Sequence, residues 1–222
     1  MVGRLRDTVQ RTLAPRAVVA LSRIHLPRPW PRQVRPELYY AYDDPYAVLA
    51  LPGLLRLTQA RGLPMRLYPL IERGIPGDPA AGQRRAYSVV DADRLLQRED
   101  RRLARRQPLE AADCRFLAAW TQAAIGDPAV VLFAAAALEQ LWLRSDGPVE
   151  PETFAALHRR ILESEPPAEA APWIAPLLGN TRRLVARGHW ESPAARIEGE
   201  WFFAHERLPQ IAARLDQLLG TA

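Results

Sequence analysis

The 222-residue sequence contains no lysine at all, one cysteine and one asparagine, Asn180. A single thiol, Cys114, excludes an internal disulfide, a CxxC dithiol and a cysteine-based metal cluster. No apolar run approaches the ~18–20 residues of a membrane-spanning helix. There is no HExxH, no G-x-S-x-G and no Walker loop, so the motif-marked metalloprotease, hydrolase and nucleotide-binding chemistries have no foothold. All 30 basic residues are arginine, and proline (21) outnumbers glycine (12), a skew that reads as coding bias from a GC-rich bacterial genome.

The charge is unevenly placed. Residues 1–36 carry eight arginines (Arg4, Arg6, Arg11, Arg16, Arg23, Arg28, Arg32 and Arg35) against Asp7, a net of +7, while the other 186 residues are close to neutral at −2. A nucleic-acid-binding body should carry a basic footprint over its own fold; this one does not, so no nucleic-acid partner is expected. At 48% hydrophobic and 25% charged, the composition is that of a globular protein.

Val2, Leu5, Val9 and Leu13 recur at helical spacing, so the arm is read as helical, packed on the body or on a second subunit. A weaker alternative is contact of residues 1–26 with an anionic membrane surface. The stretch AVVAL is shorter than the ~7–15 residues of a signal-peptide core, which favours the cytoplasm.

From residue 37 the pattern is strand, helix, strand, a long helical block, then a hairpin and a helix. Glu37–Tyr42 is an aromatic-rich strand candidate. Asp44 and Pro45 hold the N-cap and first-turn positions of a helix ending at Gly62. Met65–Tyr68 is a second strand, and a strand–helix–strand unit of this length predicts a parallel right-handed crossover. After a loop at 74–82, helices are predicted over 84–106, 111–125, 128–144, 152–163 and 168–187. Ala194–Ile197 and Glu200–Phe203 form a hairpin around Glu198-Gly199, and a last helix spans 205–219. The fold class is α/β, with a helical insertion between a β-α-β half and a β-β-α half. The expected parts are an arm (1–36), an α/β domain (37–83 and 189–222) and an inserted helical domain (84–188).

Two segments resemble one known family. Tyr42-Asp43-Asp44-Pro45-Tyr46-Ala47-Val48-Leu49-Ala50 resembles the F-S-S-P-Y-S-Y-L-A opening of 2-hydroxychromene-2-carboxylate isomerases and kappa-class glutathione transferases. Gly188-His189-Trp190-Glu191-Ser192-Pro193, running on through Glu198-Gly199-Glu200 and Phe202 to Arg207-Leu208, resembles their ending. Weaker matches are Tyr87 with Asp91-Ala92-Asp93-Arg94, and Asn180-Thr181 ahead of Ala186-Arg187-Gly188. The resemblance covers about residues 37–220 and implies a DsbA-like thioredoxin fold.

It also implies a site. The first helix would present its N-terminus to the sulfur of glutathione, the implied cofactor, with Asp44, Pro45 and Tyr46 there. Asp44 stands where the family has a hydrogen-bond-donating Ser. An ionised carboxylate cannot donate to a thiolate, and an N-cap Asp ordinarily has a lowered pKa. Asp44 is therefore open to two readings, an acid/base or binding residue and a plain helix cap, with Asp43 a weaker candidate. Pro193 matches the family's cis-proline, so Ser192–Pro193 is expected to be cis, with the Ser192 backbone pairing with glutathione. Glu206 and Arg207 stand where the family has Asp-Arg and would hold charged ends of the ligand, or else cap the last helix. His189 and His205 flank this region as structural histidines or bases. Arg84 stands where many isomerases have Lys, and Cys114 is expected to be a buried structural thiol.

The implied function is a glutathione-dependent isomerase or transferase acting on a small aromatic or organic acid, as a homodimer. A non-catalytic binding or assembly module is the alternative. Disulfide exchange needs a thiolate at the active helix, and Cys114 lies elsewhere.

Overall fold

The computed structural model describes residues 34–71, 73–75 and 77–221. The predicted helical arm and its membrane-surface alternative fall outside these residues.

Strand β1 (Glu37–Ala41) is followed by helix α1 (Ala47–Gln59) and strand β2 (Arg66–Leu70). β1 and β2 are parallel, in register from Glu37↔Arg66 to Ala41↔Leu70, as the crossover rule requires. Strands β3 (Ala194–Ile197) and β4 (Glu200–Phe203) follow the helical block, and the sheet order is β2-β1-β3-β4 with β3 antiparallel to both neighbours. Their two-residue turn, Glu198-Gly199, has positive φ at both positions (46° and 99°), the mirror-image geometry that matches strand twist. Pro69, which has no N–H to give, is tolerated because β2 is an edge strand.

Alternation of side chains gives the central strand two buried faces. Leu38, Tyr40 and Tyr42 face the main core, where α1 and the final helix α7 (Leu208–Leu219) pack. Tyr39 and Ala41 face the other way, under Leu184 of α6 (Ala171–Ala186). Each fully buried large apolar side chain in these faces contributes roughly 1.5–3 kcal/mol. Gly53 lets α1 approach the start of α7 closely: a Cβ there would push the Leu208 side chain aside.

Between the halves lie α2 (Ala81–Gln97), α3 (Ala111–Ala123), α4 (Val130–Glu139), α5 (Pro151–Leu162) and α6. The main apolar cluster is continuous from the sheet into this block, through Leu117, Phe133 and Trp142. Three predicted helix spans need correction. Helix 84–106 stops at Gln97, because the Asp93 carboxylate takes the Leu103 N–H (2.9 Å) and Arg106 (2.8 Å), turning the chain back. Helix 128–144 ends in a π-helical turn, Gln140–Arg144. There the Trp142 carbonyl accepts the Ala104 and Arg105 N–H groups, and buried Arg105 binds the carbonyls of Leu141 and Gly147. Those contacts satisfy carbonyls that a helix end leaves free. The last helix begins at Leu208 rather than 205, which leaves Glu206 and Arg207 ahead of it.

Candidate functional site

Parallel, in-register strands release their following loops at the same end of a sheet, where ligands bind in open α/β folds. The turn after β1 carries Asp43 and Asp44, and the loop after β2 carries Arg73. The Arg73 guanidinium meets both carboxylates, Nη1 at 3.1 Å from Asp44 Oδ1 and Nε at 3.4 Å from Asp43 Oδ2.

Asp44 caps α1, as one reading of the sequence held, but over a tightened first turn. Ala47 and Val48 donate to the carbonyls of Asp44 and Pro45, three residues back, and regular helix begins at Ala47. The Tyr46 N–H donates to Asp44 Oδ1 at 3.1 Å, while Oδ2 is buried with no hydrogen-bond partner among the described residues. An N–H that would otherwise be free to meet an incoming anion is thus spent on this carboxylate.

The expected lowering of the Asp44 pKa is reversed. The residue is fully buried, and loss of hydration pushes its carboxyl up to about 7; Arg73 opposes this, and neighbouring Asp43 reinforces it. Smaller lowering influences come from the Tyr46 N–H and the Ser192 hydroxyl. Burial also raises the Asp43 carboxyl, against the pull of Arg73. A capping carboxylate keeps a lowered pKa only where water reaches it, and none of the Asp44 side chain is exposed.

The opposite wall is the loop before β3. The Ser192–Pro193 bond is cis. Ala41 N–H donates to Ser192 Oγ at 3.0 Å, and Ala204 N–H donates to the Pro193 carbonyl at 3.0 Å, tying the loop to β1 and to the end of β4. Ser192 N–H donates to Glu191 Oε1 at 3.0 Å. His205 stacks on Tyr46 with ring centroids 4.0 Å apart. Burial lowers its pKa to about 4, so the ring is neutral at neutral pH and its 3.6 Å approach to Glu206 is not an ion pair.

These groups enclose a cavity of about 500 Å³. Asp43, Tyr46, Arg73, Glu191, Ser192, His205 and Glu206 line it, with Arg84, Arg85 and Tyr87 of α2 across from them. Of the residues singled out in the sequence, Tyr46, Arg84, Tyr87, Ser192, His205 and Glu206 line the cavity; Asp44, Pro45, His189, Pro193 and Arg207 are not among its lining. Asp43, the weaker candidate, is the acidic residue of the first turn that faces it. Arg73, Arg85 and Glu191 were missed as site residues. The available signal for Arg73 was its place just past a parallel strand.

Beneath the site, Trp142 Nε1 donates to the Tyr42 carbonyl at 2.9 Å, fixing the peptide that leads into Asp43. His189 is packed among Trp190, Trp201 and Phe203, and its Nδ1 accepts the Glu191 N–H. Cys114 is buried and its thiol is pushed far up by burial, which suits a packing role and not thiol exchange.

Neither a protein-family model nor a curated protein matches the sequence. Solved structures do match in fold. A 2-hydroxychromene-2-carboxylate isomerase superposes with a TM-score of 0.61 at 15% identity, over 83% of this chain and 96% of that one. A probable DsbA oxidoreductase from Streptomyces coelicolor gives 0.60 at 11%, over 85% and 91%. The chain has the DsbA-like thioredoxin fold. The cytosolic disulfide reductase DsbM from Pseudomonas aeruginosa, solved with GSH, gives 0.52 at 17%, over 84% and 99%. Among the described residues, no helix of this DsbA-like chain is long and apolar enough to cross a membrane.

Proposed function

We propose that the cavity binds glutathione and that the protein is a glutathione-dependent isomerase or transferase acting on a small aromatic or organic acid. The observation that carries this reading is convergence. Asp43 from the first turn, Ser192 beside the cis bond and Glu206 ahead of α7 all line one cavity. The likeness to an isomerase structure and to DsbM with GSH supports it.

In this reading Asp43 takes the role at the reacting sulfur that the resemblance gave to Asp44. Its carboxylate accepts the thiol proton, and Arg73 beside it meets the charge left on sulfur. A carboxyl whose pKa is raised by burial is a better base for a thiol than a solvated one. Glu206 receives the ligand ammonium, and Arg84 and Arg85 face its carboxylates. Tyr46, Tyr87 and Phe203 give the acid substrate an aromatic surface. The same reading carries a cytoplasmic location and a homodimer.

A second reading, a binding module without chemistry, is favoured by one observation: the Asp44 carboxyl is turned onto its own helix N–H and Arg73, and is fully buried. Turnover of aromatic and organic acids with glutathione separates the two. Asp43→Ala should lower kcat/KM by about 10²–10⁴-fold, the usual range for removing a proton-transfer group, while shifting glutathione affinity only a few-fold. Full activity in Asp43→Ala would remove Asp43 from the chemistry. Glutathione binding by the native protein without turnover of any such substrate would establish the binding module.

A further inference from the structure

The backbone N–H of Ser192 is the donor beside the cis bond, and in this protein it is already engaged. It donates to Oε1 of the preceding side chain, Glu191, at 3.0 Å. The Ser192 hydroxyl is committed elsewhere, as acceptor of the Ala41 N–H. Glu191 lines the cavity with Arg73 and is electrostatically coupled to it. Its own backbone N–H is anchored on His189 Nδ1 at 3.2 Å. The main chain is therefore fixed, and rotation of the Glu191 side chain alone releases the donor.

We infer that the Glu191 carboxylate is an internal occupant of the ligand subsite at Ser192, held on the backbone N–H that a bound ligand must take over. This rests on the glutathione reading above and adds a residue that sets its affinity and selectivity. A charged acceptor holds an N–H more strongly than a neutral carbonyl does, so Glu191 outcompetes weak amide ligands. It also adds a negative charge to a wall that holds Asp43, Asp78 and Glu206 against Arg73, Arg84 and Arg85. Anionic ligands are penalised until the side chain swings away.

The test uses acetate, a small carboxylate, as a probe that does not depend on glutathione. Amide NMR spectra of the native protein, Glu191→Ala and Glu191→Gln are followed during titration with acetate and, separately, with glutathione. In Glu191→Ala the Ser192 amide should shift saturably with acetate at tens of millimolar, while the native amide stays still. Glutathione should bind Glu191→Ala about tenfold more tightly than the native protein, since a charge-assisted bond no longer has to be exchanged. Glu191→Gln, which keeps an acceptor oxygen but no charge, should fall between them. A Ser192 amide silent to acetate in a folded Glu191→Ala variant overturns the inference, as does an equal response in the native protein. The expected acetate response with no glutathione binding by either protein supports the Glu191 assignment and overturns the glutathione reading.

Discussion

Asp44→Asn is expected to be more stable than the native protein at pH 8 and close to equal at pH 4. Asp44 has an ordinary carboxyl pKa of 3.8 that burial raises to about 7 in the folded chain. For an acid raised in this way, folding favours the protonated form. The stability it contributes is complete below 3.8 and is lost as the pH climbs through about 7. That interval corresponds to roughly 4 kcal/mol at ~1.4 kcal/mol per tenfold change in proton affinity. Asparagine is neutral throughout, and its side-chain carbonyl can keep the bonds from the Tyr46 N–H and Arg73. Chemical denaturation of both proteins from pH 4 to 8 should therefore show a difference that grows with pH. A constant difference would show that Asp44 titrates in the ordinary carboxylate range, and one that shrinks would place it below that range.

Arg73→Leu should have the opposite sign and a similar size. The Arg73 side chain is only 11% exposed and is the cation that both Asp43 and Asp44 contact. Removing one partner of a buried ion pair typically costs about 3–5 kcal/mol, because the remaining charge is left uncompensated in a poorly hydrated site. Here two carboxylates are left, so the full cost should appear at pH 8, where both must be ionised or pay to hold a proton. It should shrink as the pH falls, because burial raises both carboxyls and protonation removes the charges left unpaired. Asp44→Asn should stabilise the Arg73→Leu variant by more than it stabilises the native protein, since the double variant buries one uncompensated carboxylate instead of two. Additive effects in the double variant would mean that the two side chains do not share one electrostatic site.

The fold was largely legible because its signals are local. Glu198-Gly199 specifies the hairpin turn, Asp44-Pro45 marks a helix start through its own side chain, and a strand–helix–strand spacing forces the parallel crossover. Helix ends at Gln97 and Glu139 were not legible, because each is set by distant groups: Asp93 reaching to residues 103 and 106, and Arg105 reaching to the carbonyls of Leu141 and Gly147. The site divides along the same line. Tyr46, Arg84, Tyr87, Ser192 and Glu206 came from motif positions and do line the cavity. Arg73 and Arg85 belong to no motif, and only the pairing of β1 with β2 brings Arg73 against Asp43. The pKa of Asp44 reversed for the same reason: capping is a property of the local chain, whereas burial is a property of the packed fold.

We propose that this cavity is a glutathione site, with Asp44 buried behind it and Asp43 facing the ligand. Calorimetric titration of glutathione into the native protein and into Asp44→Ser tests it most directly. The native protein is expected to bind at or below millimolar concentration, with little change on replacing a residue that does not line the cavity. A native protein that gives no heat, with binding gained by Asp44→Ser, would contradict it.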